Sequence, residues 1–171
     1  MKVLLISDML KDFMEEGGAL YCGEESRKII PFIKEKTDEC RKSGCKVIYM
    51  CDAHADDDKE FRMFGAHAVK GSEGAKIIEE LCPEEVDIIV EKTTLSAFHN
   101  TGLDRILKKL EPDEVDVVGV CASICVMDAV GALMVRGYKV VVYRDGIADF
   151  DREAHGFALK RMERVYGAEI R

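Results

Sequence analysis

The stretch VDVVGVCASICVMDAVGAL, residues 115–133, joins a short apolar run to a segment with helix-like spacing. Its first half is rich in Val, which is typical of a strand that is buried on both faces. Its second half predicts a helix from about Cys125 to Arg136 that ends at Gly137. Cys121 and Cys125 lie where the strand pattern gives way to the helix pattern, so this stretch predicts a strand, a turn and a helix in direct succession.

The same alternation recurs along the chain. Four further apolar runs are rich in Val and Ile: VLLIS (3–7), KVIYMC (46–51), VDIIV (86–90) and KVVVY (139–143). Amphipathic stretches between them predict helices that end at Ser43-Gly44, Pro83 and Pro112, and a last one that begins near Asp151. Strands that alternate with helices predict one domain over residues 1–171, a three-layer α/β/α fold with a mostly parallel central sheet.

Composition excludes several classes of partner. Lys and Arg number 25 and Asp and Glu number 33, which gives a net charge of −8 and disfavours nucleic acid or an anionic membrane. The apolar start is too short for a signal peptide, and no apolar segment of 18 residues occurs, so we expect a cytoplasmic protein. Its seven cysteines include no CxxC pair, and we therefore expect reduced thiols rather than a disulfide scaffold.

Polar residues follow several of the predicted strands. The carboxyl ends of parallel strands share one edge of a sheet, where ligands bind in such folds. The residues that reach this edge are Asp8, Asp52, His54, Glu91, Lys92, Cys121 and Cys125. The glycine-rich GSEG at 71–74 follows no clear strand and lacks the Lys-Ser/Thr of a phosphate loop, so it predicts no nucleotide site.

Cys125, Lys92 and Asp8 form a candidate set for covalent hydrolysis. A cysteine at a helix N-terminus has its thiolate favoured by the helix dipole, and a nearby lysine lowers the pKa of the thiol further. A carboxylate such as that of Asp8 exchanges the proton. The spacing alone also fits a second interpretation, in which Cys125 is a small buried apolar residue, Asp8 a turn residue and Lys92 a solvated strand end.

A second candidate set could hold a metal. Asp52 and His54 alternate by two after a strand, so both side chains point the same way, and His67 follows thirteen residues later. Two histidines and a carboxylate with open positions suit Zn²⁺ or Fe²⁺. Glu60 in the intervening loop is the preferred fourth ligand over Asp56–Asp58. The spacing alone equally fits surface histidines beside a solvated acidic loop.

The sequence resembles the isochorismatase-like cysteine hydrolases, and within them the nicotinamidases. The segments that carry the resemblance span nearly the whole chain in family order: LISDMLKDFMEEGGAL (5–20), CDAH (51–54), GAHAVKGSEGA (65–75), VEKTTLSAFHNTGL (90–103) and GVCASICVMDAVGALMVRGYKVVVYRDGIA (119–148). The resemblance implies that Asp8 is the general acid/base, Lys92 its charged partner and Cys125 the nucleophile. It also implies a cis peptide bond at Val120–Cys121.

That bond would direct the backbone N–H of Cys121, beside that of Cys125, at one oxygen as an oxyanion hole. The resemblance further implies one divalent metal on Asp52, His54 and His67, with Zn²⁺ first and Fe²⁺ or Mn²⁺ as alternatives. Phe13 and Phe64 resemble ring-packing positions, although relatives often carry Trp where Phe64 stands. Ala122-Ser123 replace a Thr-Asp pair common in relatives.

The resemblance leads us to expect an amidohydrolase that converts nicotinamide to nicotinate and ammonia through a Cys125 thioester, in pyridine-nucleotide salvage. Its partner would be a small amide substrate, and the chain could form a homo-oligomer. One alternative is a relative that hydrolyses a different small amide or ureido compound. An alternative of another class is a non-catalytic, redox-sensing cysteine protein.

Overall fold

A computed structural model describes all 171 residues, Met1–Arg171. Six strands form one sheet: β1 (Lys2–Ser7), β2 (Lys46–Asp52), β3 (Ile88–Lys92), β4 (Glu114–Gly119), β5 (Val140–Ile147) and β6 (Glu169–Ile170). The helices are α1 (Lys11–Met14), α2 (Glu24–Arg27), α3 (Ile30–Ser43), α4 (Phe61–Phe64), α5 (Leu103–Leu110), α6 (Met127–Val135) and α7 (Arg152–Arg161). The strand order is β3-β2-β1-β4-β5-β6, and every pair is parallel.

Both faces of the sheet are covered. Alternate residues of β1 divide between two buried clusters, with Val3 and Leu5 in one and Leu4 and Ile6 in the other. Helices α5, α6 and α7 contribute buried residues to the first cluster, and α1 and α3 contribute to the second. Because β1 is apolar on both faces, it can lie at the centre of the sheet. The three-layer α/β/α prediction is confirmed.

The differences from the predicted elements lie at short segments. Strand β6 has only two residues, too few to leave a periodic pattern, and it pairs with β5. The helix predicted before Pro83 is a single 3₁₀ turn, Glu79–Leu81. None of the helices is long and apolar enough to cross a membrane.

The expectation that all thiols are reduced is wrong for one pair, because Cys40 and Cys45 form a disulfide. Helix α3 ends in a Schellman motif, in which Gly44 has a φ of 75° and the N–H of Cys45 donates to the carbonyl of Cys40. This motif brings the Cα atoms of Cys40 and Cys45 to 4.7 Å. The two positions often make a hydrophobic contact in such motifs, and here they carry the disulfide. The sequence predicted the helix end at Ser43-Gly44 but not that this turn brings the two cysteines together. The other five are free.

The register of the sheet assembles the predicted edge. Ser7 is level with Met50 of β2 and with Gly119 of β4, so Asp8 begins where both neighbours end. Asp52 is level with Lys92 at the ends of β2 and β3. The carboxyl ends of four adjacent strands therefore meet at one place.

Candidate active site

Asp8 is the first residue after β1, and it is 1% exposed. Its φ of 51° lies in the left-handed region, which Asp tolerates better than most residues. One carboxylate oxygen accepts the N–H of Asp52 at 2.9 Å, and the other accepts the Ser7 hydroxyl at 3.0 Å. The orientation of this carboxylate is therefore set by two neighbouring strand ends.

Lys92 connects the three residues of the predicted triad. Its Nζ lies 3.0 Å from Asp8 Oδ2 and 3.7 Å from Cys125 Sγ, and it also forms an ion pair with Asp52. Burial favours the neutral amine, but Asp8 and the other acidic groups outweigh burial and raise the pKa of Lys92 well above its ordinary value. The site therefore keeps a buried cation beside the thiol.

Cys125 lies in a π-helical turn, Ala122–Val126, that leads directly into α6. Burial raises the pKa of the Cys125 thiol well above its ordinary value, although Lys92 acts in the opposite direction. The expected effect of the lysine is present, but burial outweighs Lys92, so the pKa of this thiol is raised rather than lowered. Burial and the neighbouring Asp52 likewise raise the pKa of Asp8. Both groups therefore bind a proton more tightly than they would in water.

The cis peptide bond implied by the family resemblance is present at Val120–Cys121. The N–H of Val120 donates to Ser7 and the N–H of Ala122 donates to Ala148, at 3.0 and 2.8 Å. The N–H of Cys121 between them has no acceptor within the protein. The Cys121 thiol lies 3.4 Å from the sulfur of Cys22, so its side chain is engaged elsewhere. A backbone donor beside Cys125 is therefore available to a ligand oxygen.

The three predicted metal ligands converge on one point. His54 Nε2 and His67 Nε2 each lie 3.7 Å from an oxygen of Asp52, and all three residues are buried. His54 forms a bridge with Val69, in which its N–H donates to the Ala68 carbonyl and its own carbonyl accepts the N–H of Lys70. This bridge brings the segment of His67 beside the end of β2.

The hydrogen bonds of the two imidazoles fit metal binding. His54 Nδ1 lies 3.1 Å from an oxygen of Asp58, and His67 Nδ1 lies 2.8 Å from the carbonyl of Gly65. Both partners accept hydrogen bonds, so in the neutral imidazole each Nδ1 carries the proton and each Nε2 presents a lone pair. His54 Nε2 is buried with no hydrogen-bond partner. Two lone pairs and one carboxylate within 4.8 Å of one another match the ligand set of a divalent cation.

The acidic groups of this cluster also fit the binding of a divalent cation. Lys92 and the two histidines hold the pKa of Asp52 far below its ordinary value, against the effect of burial. Glu60 is buried, and its Oε2 has no hydrogen-bond partner. Burial and Asp52 raise the pKa of Glu60. Of the loop acids, Asp56 and Asp57 are exposed and Asp58 is occupied by His54, which leaves Glu60 as the buried acid free to approach the cluster.

Both candidate sets open into one cavity of about 370 Å³. Its polar side chains are those of Asp8, Asp52, Glu60, His67 and the cysteines, and no Lys or Arg lines it. The other lining residues are apolar or aromatic: Phe13, Ala19, Leu20, Tyr21, Phe64, Leu95, Val120, Ile124 and Phe150. The rings of Phe13 and Phe64 lie 5.7 and 6.3 Å from that of His67, each edge-on. The cavity thus has room for a small molecule between an apolar wall and the acidic and histidine side chains.

Comparison with known proteins identifies the family. The profile of the isochorismatase domain matches residues 2–170. The chain belongs to the isochorismatase family. The structure of nicotinamidase PncA from Bacillus subtilis superimposes on this isochorismatase-family chain with a TM-score of 0.94 and 32% identity, and the match covers 99% of this chain and 98% of that one.

Two further solved structures differ in activity. N-carbamoylsarcosine amidase from Thermoplasma acidophilum has a TM-score of 0.91 and 32% identity, over 99% of this chain and 95% of that one. Pyrazinamidase of Pyrococcus horikoshii, solved in complex with zinc, has a TM-score of 0.92 and 28% identity, over 99% and 98%. This chain is therefore an isochorismatase-family hydrolase, and its relatives act on more than one amide.

Every residue predicted for the site lies at or beside this cavity. Sequence reasoning did not find the apolar wall formed by Leu20, Tyr21, Leu95, Ile124 and Phe150. It also missed Phe61, whose ring lies 5.4 Å from that of His54. Only Ile124, adjacent to Cys125 in the sequence, carried a signal that could have shown its place in this isochorismatase-family site.

Proposed function

We propose that the protein is a nicotinamidase, which hydrolyses nicotinamide to nicotinate and ammonia with Asp8, Lys92 and Cys125 as its catalytic residues. One observation carries the proposal: Asp52 and His67 line the same largely apolar cavity as the Cys125 thiol, and His54 Nε2 lies 3.7 Å from Asp52. In such a cavity, a flat aromatic amide can place its ring nitrogen beside the candidate metal ligands and its amide carbon beside Cys125 at the same time. The similarity to nicotinamidase PncA supports this substrate.

The first half-reaction forms the thioester. Asp8 in its ionised form accepts the proton of the Cys125 thiol, and the ammonium of Lys92 at 3.7 Å stabilises the thiolate. The sulfur attacks the amide carbon, and the N–H groups of Cys121 and Cys125 hold the oxygen on which negative charge develops. Asp8 then returns the proton to the nitrogen, the C–N bond breaks, and ammonia leaves.

The second half-reaction hydrolyses the thioester and regenerates the Cys125 thiol. Asp8 accepts a proton from water, the hydroxide attacks the thioester carbon, and the same two N–H groups hold the oxygen. The C–S bond then breaks and Asp8 returns its proton to Cys125, while nicotinic acid leaves and loses its proton to solvent as nicotinate. The raised pKa values of Asp8 and Cys125 suit a proton that passes between these two groups.

Asp52, His54 and His67 would hold one divalent cation, with zinc as the preferred ion and Glu60 as the fourth ligand. The protonated Nδ1 atoms and the bare Nε2 of His54 support this assignment. When bound, such a cation supplies a Lewis-acidic position that a pyridine nitrogen can occupy. The rings of Phe13 and Phe64 would pack on the substrate and restrict it to the plane that presents its amide to Cys125.

The second candidate function is hydrolysis of a ureido acid, which the similarity to N-carbamoylsarcosine amidase favours. Such a substrate carries a carboxylate, which calls for a cationic partner. No Lys or Arg lines the cavity, and Lys92 is 2% exposed and already engaged by Asp8 and Asp52. An uncharged amide therefore fits this cavity better.

The experiment is ammonia release in a single turnover, with zinc-loaded protein mixed separately with nicotinamide, benzamide and N-carbamoylsarcosine. We expect nicotinamide to release ammonia fastest and N-carbamoylsarcosine to release little. Fastest turnover of N-carbamoylsarcosine would assign the protein to the ureido hydrolases instead.

A further inference from the structure

Asp12 links three segments that are distant in the sequence. One oxygen of its carboxylate accepts the N–H of Ala68 at 2.7 Å, and the other accepts the N–H of Ala19 at 3.1 Å. Its own N–H donates to the Gly74 carbonyl and its carbonyl accepts the N–H of Leu20, both at 3.0 Å. One half-buried side chain therefore ties a wall of the active-site cavity to the segment that carries His67.

The link at Ala68 reaches both histidines. Ala68 follows His67 directly, and its carbonyl accepts the N–H of His54 at 3.0 Å. Ala68 is fully buried and has a φ of 41°, a left-handed conformation that a non-glycine residue adopts only when its surroundings hold it there. The N–H of Ala68 is held by a side chain, the carboxylate of Asp12. Ala68 in turn connects His67, which precedes it in the chain, to the backbone of His54.

Gly74, in the GSEG segment (71–74), makes room for this carboxylate. A methyl group on Gly74 would lie 2.1 to 2.3 Å from the three atoms of the Asp12 carboxylate group, closer than any stable contact. The φ of Gly74 is not in the left-handed region, so the carboxylate rather than the backbone conformation is the reason for a glycine. Two separate features, the accepted N–H bonds and the cleared space, thus point to a required position for Asp12.

We propose that Asp12 is a positioning residue for the metal site: through Ala68 it holds His54 and His67 at the separation that a divalent cation requires. This inference rests on the proposed function, because the cation belongs to that proposal. Partners one step beyond the ligands often change metal affinity by about 10- to 100-fold. Asp12 acts through the backbone, so its effect lies at the lower end of that range.

The test measures the zinc affinity of purified protein by competition with a chromogenic chelator. Asp12→Ala removes both accepted bonds and weakens zinc binding about tenfold, and Asp12→Asn, which retains one acceptor oxygen, weakens it less. Asp151→Ala is the matched control, because Asp151 also accepts two backbone N–H groups, those of Glu153 and Ala154, but at the start of α7. Its zinc affinity equals that of the wild type.

Gly74→Ala gives an independent version of the same perturbation, since it displaces the carboxylate without removing it. It weakens zinc binding in the wild type but has no further effect in the Asp12→Ala background, where the space is empty. The alkylation rate of Cys125 stays unchanged in all these variants, which separates a shift of the histidines from general loosening of the site.

Wild-type zinc affinity in both Asp12→Ala and Gly74→Ala would overturn the inference while leaving the proposed function intact. A wild-type protein that binds no zinc would instead overturn the metal site of the proposed function, and this inference with it.

Discussion

Replacement of Lys92 by Met tests the buried cation of the triad. Lys92 Nζ and Cys125 Sγ are 3.7 Å apart. At that distance two unit charges attract each other by about 4.5 kcal/mol at an effective dielectric constant of ~20, which corresponds to roughly a thousandfold change in thiolate population. Asp8 retains a proton more readily without Lys92, and the loss of that negative charge offsets part of the effect. We therefore expect about a 100-fold fall in the thiolate population of Cys125 at fixed pH.

In the assay, iodoacetamide alkylates the protein at pH values from about 6 to 10, a range that includes the ordinary thiol pKa of about 8.5. Mass spectrometry then measures alkylation of the peptide that contains Cys125. The exposed thiol of Cys82 in the same sample serves as an internal reference. Lys70→Met is the control, because Lys70 is exposed and pairs with Glu91 outside the cavity. An alkylation profile of Cys125 that is the same in Lys92→Met and in the wild type, with both proteins folded, would refute the electrostatic role of Lys92.

Two further predictions concern the nucleophile Cys125 and Glu114, the first residue of β4, at the end of the sheet opposite the cavity. Cys125→Ala abolishes ammonia release, whereas Cys121→Ala retains most of the rate because it keeps the backbone N–H; equal losses in the two variants would contradict the assignment. The lysines beside Glu114 lower its pKa to about 2, so its contribution to stability is complete above its ordinary pKa and is lost as the pH falls from about 5 to about 2. Glu114→Gln therefore lowers the free energy of unfolding by about 1 kcal/mol at pH 7 and by less at pH 3, as measured by urea denaturation; an equal loss at both pH values would contradict it.

The sequence predicted the parts of the fold that repeat. Runs such as VLLI (3–6) and VVV (140–142) are apolar at successive positions, which distinguishes a strand covered on both faces from a strand with one face in solvent. Because parallel strands end at one edge of a sheet, the positions of Asp8, Asp52 and Cys125 directly after predicted strands indicate that they lie together. Strand β6 left no such signal, since two residues cannot show a period.

The remainder of the site depends on contacts between distant residues. The pKa of Cys125 follows from how deeply the finished fold buries it, and no local spacing reports burial. Leu20 and Phe150 line the cavity from loops 130 positions apart, a proximity that pattern reasoning does not reveal. Asp12 was visible within LISDMLKDF, but its bonds to Ala19 and Ala68 exist only once three segments have met. Long-range packing, rather than local propensity, determines these features.

The most direct test of the account is the ratio of kcat/KM for nicotinamide to that for benzamide, measured by ammonia release from zinc-loaded protein. The two amides have nearly the same shape, and only nicotinamide has a ring nitrogen. A site that engages this nitrogen should favour nicotinamide by at least about 100-fold. In His54→Ala the ratio should fall toward one, mainly through a higher KM for nicotinamide, while the alkylation rate of Cys125 is unchanged. Equal turnover of the two amides by wild-type protein with zinc bound would contradict the account.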